Sequence, residues 1–381
     1  MSEKKIRLLS VTKSTGGLAQ YNRRLCTRLD PQRFEVEVIC LSENNTVYAA
    51  ELNALGIHAI PMDMDRYRLN PAQDLKMAWR LWRHIRQNPY DILLGHGSKA
   101  GFLVRLLGRL ARIPAVYRLA SMSFVTQTQG RKALFYAQIE RLGALLGGQI
   151  VTVADATRHE LVRRRIAPAR QTSVIHTGID LLEFGPPLDR TLACNALGLD
   201  PAYPVVGWAA RLAPQKAPLD YVRAAALVVE QLPAAQFFLA GEGALETDVR
   251  ALIETLGLGK KIILAPWQKN MPAMLSAFDV YVQTAHWEGL PQAVLEAMAM
   301  RRAVVVTSVD GTPEIVRHDM DGLLVEPGDV VGLASHIISL LGDESRRATL
   351  GTAARTRIEA QFTVERMVAQ WEQLLGDLAQ H

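Results

Sequence analysis

The sequence predicts an α/β protein of two doubly wound parallel sheets. Three observations carry that expectation: the length, an alternation of short β-branched runs with longer helical patterns, and the return of that alternation after a linker-like break. At 381 residues the chain exceeds one ordinary domain and suits two of roughly 150 to 200 residues each. Hydrophobic residues make up 49% and charged residues 21%, so each domain can bury a full core and neither reads as disordered or fibrous. The alternation points to βαβ units, because successive parallel strands need a helical crossover between them.

The first series opens with a strand at Ile6–Val11 and continues at Glu35–Leu41, His58–Pro61, Asp91–Leu94, Ala115–Tyr117 and Gln149–Val153. Helical patterns at Leu18–Leu29, Asp74–Arg86 and Gly101–Ala111 fill gaps between them. A linker-like stretch from Thr177 to Pro204 separates this series from the second, at Val205–Trp208, Gln236–Ala240, Lys261–Leu264, Val280–Gln283, Ala303–Thr307 and Leu323–Val325. The expected domains are 1–180 and 181–362. The closing helical patterns, Glu344–Gln361 and Val364–Leu378, contain no strand signal. The final segment, 363–381, either packs back on the first domain across the joint or caps the second.

Lys4, Lys5 and Arg7 precede only a short apolar run, so Met1 to Val11 does not read as a signal peptide. No apolar stretch reaches the roughly 18 residues of a spanning helix. Cys26, Cys40 and Cys194 are scattered without CxxC spacing, which argues against a zinc site or a disulfide framework and for a reducing, cytoplasmic setting. The histidines show no metal spacing, and no metal is expected. Residues 1–182 carry 27 Lys+Arg against 14 Asp+Glu, a net +13, and the remainder 16 against 24, a net −8. A basic half suits nucleic acid, an anionic membrane surface, a phosphorylated substrate or plain solvation. No nucleic-acid module appears.

In open parallel sheets ligands gather at the carboxyl ends of strands, and two facing sheets place a cleft between them. Ser14-Thr15-Gly16-Gly17 follows the first strand, where Gly16 and Gly17 fit either close approach to a phosphate or a tight turn. His96 follows the strand at Asp91–Leu94 and Arg118 follows Ala115–Tyr117, both with a ligand-facing address. In the second series Arg211 and Lys216 lie after Val205–Trp208, placed to bring a guanidinium and an ammonium onto one diphosphate.

The run His286-Trp287-Glu288-Gly289-Leu290-Pro291, leading to Glu296, follows Val280–Gln283. Pro291 suits a first helical turn, so Glu288 falls just before the helix and Glu296 about two turns inside it. At the helical rise eight residues span about 12 Å, too far for an acid/base pair on one bond and suited to two ends of an extended ligand. Backbone N–H groups at Gly289, Leu290 and Gln292 would face a phosphate between them. Gly241 in Gly241-Glu242-Gly243 allows backbone approach, and Trp267 could stack a base or pack in its loop.

Arg211 with Lys216, Gly241-Glu242-Gly243, Glu288-Gly-Leu-Pro with Glu296, Thr312-Pro313-Glu314 and Asp321-Gly322-Leu323 together resemble the retaining family 4 glycosyltransferases of the two-domain GT-B fold. The resemblance implies two Rossmann-like domains and a nucleotide-diphosphate sugar as donor substrate, with no separate cofactor and no metal. It implies that Glu288 contacts the donor sugar and Glu296 the ribose. Arg211 and Lys216 would neutralise the diphosphate, and Gly16 and Gly17 would approach it. Transfer with retention to a hydroxyl of a glycan or lipid-linked acceptor is implied, with a place in cell-surface polysaccharide or glycolipid synthesis. Ala210 and Ala217 stand where the family often has glycine. Arg118 stands where it often has histidine, which leaves His96 as the nearest substitute.

Residues 101–182, with 12 Lys+Arg against four Asp+Glu and the run Arg131-Lys132-Ala133-Leu134-Phe135-Tyr136, fit an anionic membrane surface on its cytoplasmic side or an ordinary amphipathic helix. Two other readings remain: a sugar-nucleotide epimerase of related fold and a non-catalytic nucleotide-sugar-binding protein.

Overall fold

The structure, a computed structural model, describes residues 4–41, 45–62, 71–121, 131–185 and 187–380. The chain divides into two units, Met1–Thr177 with Val364–His381, and Gly178–Thr363.

The first unit is built on seven parallel strands: β1 (Ile6–Lys13), β2 (Phe34–Leu41), β3 (His58–Met62), β4 (Ile92–His96), β5 (Ala115–Leu119), β6 (Gln149–Thr152) and β7 (Thr172–Val174). Their order is β3-β2-β1-β4-β5-β6-β7. Among the described residues these helices lie between them: α1 (Gly16–Cys26), α2 (Asn45–Ala54), α3 (Pro71–Gln87), α4 (Ser98–Ala111), α5 (Arg131–Leu145) and α6 (Asp155–Arg163). Alternate residues of β1 serve opposite faces, as strand geometry requires. Leu8 packs with Tyr21 and Leu25 of α1, whereas Leu9 and Val11 pack with Met77 and Leu81 of α3 and Val104 of α4.

The second unit has six parallel strands: β8 (Val205–Ala209), β9 (Gln236–Ala240), β10 (Ile262–Ala265), β11 (Val280–Gln283), β12 (Ala303–Thr307) and β13 (Leu323–Val325). They run in the order β10-β9-β8-β11-β12-β13. Its helices are α7 (Arg190–Ala196), α8 (Pro218–Gln231), α9 (Glu246–Thr255), α10 (Met271–Ser276), α11 (Gln292–Ala299), α12 (Thr312–Ile315), α13 (Val330–Gly342) and α14 (Glu344–Gln361). The last helix, α15 (Val364–Ala379), belongs to the first unit. Its Val364, Met367, Trp371 and Leu375 form one buried stripe, and the Trp371 indole N–H donates to the Tyr21 hydroxyl at 2.5 Å.

Both sheets reverse their winding direction once, between β1 and β4 in the first and between β8 and β11 in the second. Loops leaving the carboxyl ends of the two strands at such a reversal diverge to opposite faces, and the crevice they leave is where a ligand can reach backbone. Both sheets are parallel and carry alternating helices, as expected for two Rossmann-like folds.

Several element ends shift by one to three residues, and some differences from the expectation go further. A seventh strand, β7, lies at the edge of the first sheet, and α7 occupies part of the stretch read as linker. Helix α1 begins at Gly16 instead of Leu18. Strands β4 and β5 continue through His96 and Leu119, so His96 and Arg118 are strand residues, not loop residues. Backbone pairing explains the last: His96 is opposite Arg118 in the β4–β5 ladder, which a polar side chain does not interrupt.

Candidate functional site

The second sheet's reversal point gathers most of the expected site residues. After β8 the chain turns through Arg211 to a short 3₁₀ turn, Pro214–Lys216, and Ala217 then starts α8 in a left-handed conformation, φ 43°. That conformation suits glycine, because a Cβ crowds the following carbonyl. The loop is tied down from below. Thr284, just after β11, donates its hydroxyl to the carbonyls of Lys216 and Ala217 at 3.0 and 2.9 Å, while the Trp208 indole N–H donates to the same hydroxyl at 3.1 Å.

These ties bring the Lys216 ammonium onto Oε1 of Glu288. Gln283, the last residue of β11, donates to the same oxygen at 2.7 Å, and the Glu288 backbone N–H donates to Asp310 at 2.8 Å. Among the described residues Oε2 of Glu288 accepts no hydrogen bond, so one oxygen is saturated and the other is available. The Lys216 side chain is 18% exposed and that of Glu288 7%, which makes this a nearly desolvated pair. Such pairs are costly to break one-sidedly, because the charge left behind is buried without a partner. Arg211 is exposed, and its guanidinium donates only a 3.3 Å bond to Gln215. Gln215 in turn donates to the Trp287 carbonyl at 3.0 Å, and His286 N–H donates to the Gln215 carbonyl at 2.8 Å, so the two loops are stitched together.

Glu296 lies on α11, a helix whose residues from Val294 to Ala299 are all buried. A carboxylate there needs a partner, and Gln292, one turn earlier, donates to it at 2.7 Å. Burial first, and then the charges of Glu296 and Glu288, push the Tyr281 hydroxyl up from its ordinary value. Both carboxylates therefore act on one side chain of β11. Gly289 and Leu290 are buried in the turn leading to α11, so any ligand contact from them would be through backbone.

Gly241 is in place after β9, but its neighbour is protein. A Cβ there would meet the Ala210 carbonyl oxygen at 1.9 Å, and Gly243 has the same relation to Leu212 at 2.3 Å. The glycines let the Arg211 loop lie flat on the β9 turn, with Leu212 N–H donating to the Glu242 carbonyl at 2.9 Å. Trp267, after β10, is 46% exposed.

In the first unit Gly16 has φ +71° and a Cβ there would touch nothing within 4 Å, so the conformation, not crowding, calls for glycine. Gly17 is exposed beside it. His96 and Arg118 depart from the expected ligand-facing address. His96 is fully buried, and among the described residues neither ring nitrogen has a hydrogen-bond partner. Burial, and then the Arg118 charge, hold its imidazole well below the ordinary value, so it is neutral. Arg118 is 3% exposed, with its guanidinium 3.3 Å from the centre of the Tyr21 ring. The expected address faces a ligand; in the structure both side chains turn back over Tyr21 of α1.

The sequence reading missed Gln283, Asp310 and Gln215. A polar residue closing an apolar strand, and an Asp-Gly turn after β12, were the available signals. Of the basic run at 131–136, the side chains of Arg131 and Lys132 lie outside the described residues, while Leu134 and Phe135 are 65% and 56% exposed. Among the described residues no helix is long and apolar enough to cross a membrane.

Comparison with known proteins adds to this geometry. Residues 189–357 match the family model of glycosyl transferases group 1, and residues 15–182 match that of glycosyltransferase family 4. The chain is 28% identical over 312 residues to the Escherichia coli UDP-Gal:α-D-GlcNAc-diphosphoundecaprenol α-1,3-galactosyltransferase, covering 80% of each chain. It is 27% identical over 313 residues to the N-acetyl-α-D-glucosaminyl L-malate synthase of Bacillus anthracis, covering 81% of this chain and 80% of that one. Anabaena HepE bound to UDP-glucose superposes with a TM-score of 0.84 at 20% identity, over 98% of this chain and 100% of that chain.

Proposed function

The chain belongs to the family 4 glycosyltransferases of the GT-B fold, and from that premise we propose that it transfers a sugar, with retention and without a metal, from a nucleoside-diphosphate sugar to a lipid-linked glycan acceptor. One observation carries the donor assignment: Lys216 and Gln283 saturate one oxygen of Glu288 and leave the other open at the reversal point of the second sheet. In this reading the open oxygen holds a hydroxyl of the donor sugar. The diphosphate displaces Glu288 as the partner of Lys216, and exposed Arg211 grips it alongside. Glu296 takes the ribose hydroxyls, Trp267 lies against the base, and the backbone of Gly289 and Leu290 approaches the diphosphate. Gly241 serves by shaping the Arg211 loop.

Chemistry follows from the charge pattern. As the bond from the anomeric carbon to the diphosphate oxygen breaks, negative charge grows on the phosphate, where Arg211 and Lys216 stabilise it. The acceptor hydroxyl attacks the same face and passes its proton to a departing phosphate oxygen. His96 and Arg118 do positioning work at the carboxyl ends of β4 and β5, since both are buried against Tyr21. The lipid-linked acceptor, and with it a peripheral place on an anionic membrane, is supported by the E. coli relative's diphosphoundecaprenol substrate and by the basic first unit. The epimerase alternative is not favoured, because both family models are of transferases.

A thermal-shift series tests the donor. The E. coli relative is named for UDP-Gal and the HepE structure holds UDP-glucose, so uridine nucleotides come first, against ADP and GDP. A ligand at 100 times its Kd stabilises by about 2.7 kcal/mol, a shift of several degrees. If no nucleoside diphosphate moves the transition, the donor site is misassigned.

A further inference from the structure

We propose that the outer face of α3 seats the protein on an anionic phospholipid surface, with the exposed ends of α4 and α5 beside it. The proposal deepens the lipid-acceptor reading by naming the surface, and its test reads binding, not transfer.

The face is defined by helical geometry. At about 100° per residue, Leu75, Lys76, Trp79, Arg80, Arg83 and Arg86 fall within an arc of roughly 140°, and all six are exposed. The opposite side, with Met77, Leu81 and Ile85, is buried against β1 and β4. The helix's single acid, Asp74, is half-buried and paired with Lys99 at 3.2 Å, so the outward arc carries four cations and no carboxylate.

Charge alone would suit several polyanions. The apolar members choose among them: Leu75 is 73% exposed and Trp79 57%, interleaved with the cations. Arg83 lies over the Trp79 ring at 5.8 Å and Arg86 over Trp82 at 5.7 Å, an arrangement in which long basic side chains flank rings at an interface. A phosphodiester backbone would leave Leu75 and Trp79 in water. A bilayer interface takes the rings at headgroup depth and the cations among anionic headgroups.

The surface continues sideways. α3 contacts α4, and α4 contacts α5, on one side of the sheet. Leu110 at the end of α4 and Leu145 at the end of α5 are 61% and 82% exposed, with Arg109 and Arg112 exposed nearby. The sequence reading placed membrane-facing charge at 101–182; the face proposed here lies earlier, on α3.

The full-length protein would be sedimented with vesicles of phosphatidylcholine alone and with added phosphatidylglycerol. Binding to the anionic vesicles only is expected. Each basic side chain near such a surface contributes roughly fivefold, so the triple variant Lys76→Glu, Arg80→Glu, Arg83→Glu should bind at least about 100-fold more weakly. Trp79→Ser should weaken binding several-fold at unchanged charge. A control pair, Arg223→Glu with Arg250→Glu on the second unit, should bind as wild type.

The proposal fails if wild type ignores anionic vesicles, if the triple variant binds like wild type, or if duplex nucleic acid displaces the protein from vesicles. Folding of each variant is checked by its melting transition. Vesicle binding without any nucleotide-induced shift would sink the transferase reading and leave this surface standing. A nucleotide shift without vesicle binding would do the reverse.

Discussion

At the reversal point of the second sheet, Lys216, Gln283 and Glu288 meet around one carboxylate oxygen, with a second oxygen open and an exposed guanidinium beside them. At the matching place in the first sheet, His96 and Arg118 are sealed against Tyr21: among the described residues neither His96 ring nitrogen nor Nε and Nη1 of Arg118 has a hydrogen-bond partner, and the remaining Arg118 contact is to Tyr21 itself. The backbone geometry is alike, but the polar groups are held in opposite ways. Groups that exchange partners with a ligand need a resident partner to hold them meanwhile, as Glu288 does for Lys216. A group desolvated without one, as the His96 imidazole is, can only shape what lies above it, and its cost falls on stability.

The largest expected effect breaks the second site in two. Glu288→Ala should lower kcat by about 10²–10³-fold, the size of losing one preorganised transition-state contact, with little change in affinity for the free nucleoside diphosphate. Glu296→Ala should instead weaken nucleotide binding by roughly tenfold or more, from one charge-assisted hydrogen bond. Steady-state kinetics beside calorimetric titration separates them. Equal losses in both measurements for both variants would dissolve the division into sugar and ribose contacts.

The same comparison shows what the sequence could reveal. Strands β9, β11, β12 and β13 were readable to the residue because buried parallel strands are continuous apolar runs. β7, Thr172–Val174, was missed: a three-residue edge strand with two hydroxyl side chains has no such signature. Arg211, Lys216, Glu288 and Glu296 stood out as charges at strand ends and helix starts, positions that local pattern exposes. Gln283 and Asp310 did not, since their part in the site is a contact across β11 and β12 that no spacing encodes. His96 and Arg118 were misplaced for the same reason: the ladder that extends β4 and β5 is a long-range property.

A pH series tests the sealed site. His96 is neutral in the folded protein because burial, then Arg118, lowers its value, whereas in the unfolded chain it titrates near 6.5. The unfolded state therefore binds more protons below that point, and stability is lost as pH falls. The loss is about 1.4 kcal/mol per pH unit while the folded imidazole stays unprotonated. Chemical denaturation at pH 7 and pH 5 should show this fall in wild type and a shallower one in His96→Gln. Parallel falls would mean that His96 is not the group responsible.

The smallest effect concerns strain, which the two sites also distribute differently. Among described non-glycine residues with positive φ, Ala217 and Asp310 lie at the second site, at 43° and 41°, while in the first unit Arg112 and Arg165 follow the ends of α4 and α6. Ala217 is held there by Thr284, and its conformation aims Lys216 at Glu288. Ala217→Gly should relieve about 1 kcal/mol of crowding, partly offset by the greater freedom of glycine in the unfolded chain, so the melting temperature should rise by a degree or two. The released loop should also hold Lys216 less firmly, raising KM for the donor a few-fold while kcat changes little. A melting temperature that falls would show that the alanine is not strained. A rise with unchanged KM would show that Lys216 is placed by its carboxylate partner and not by the backbone behind it.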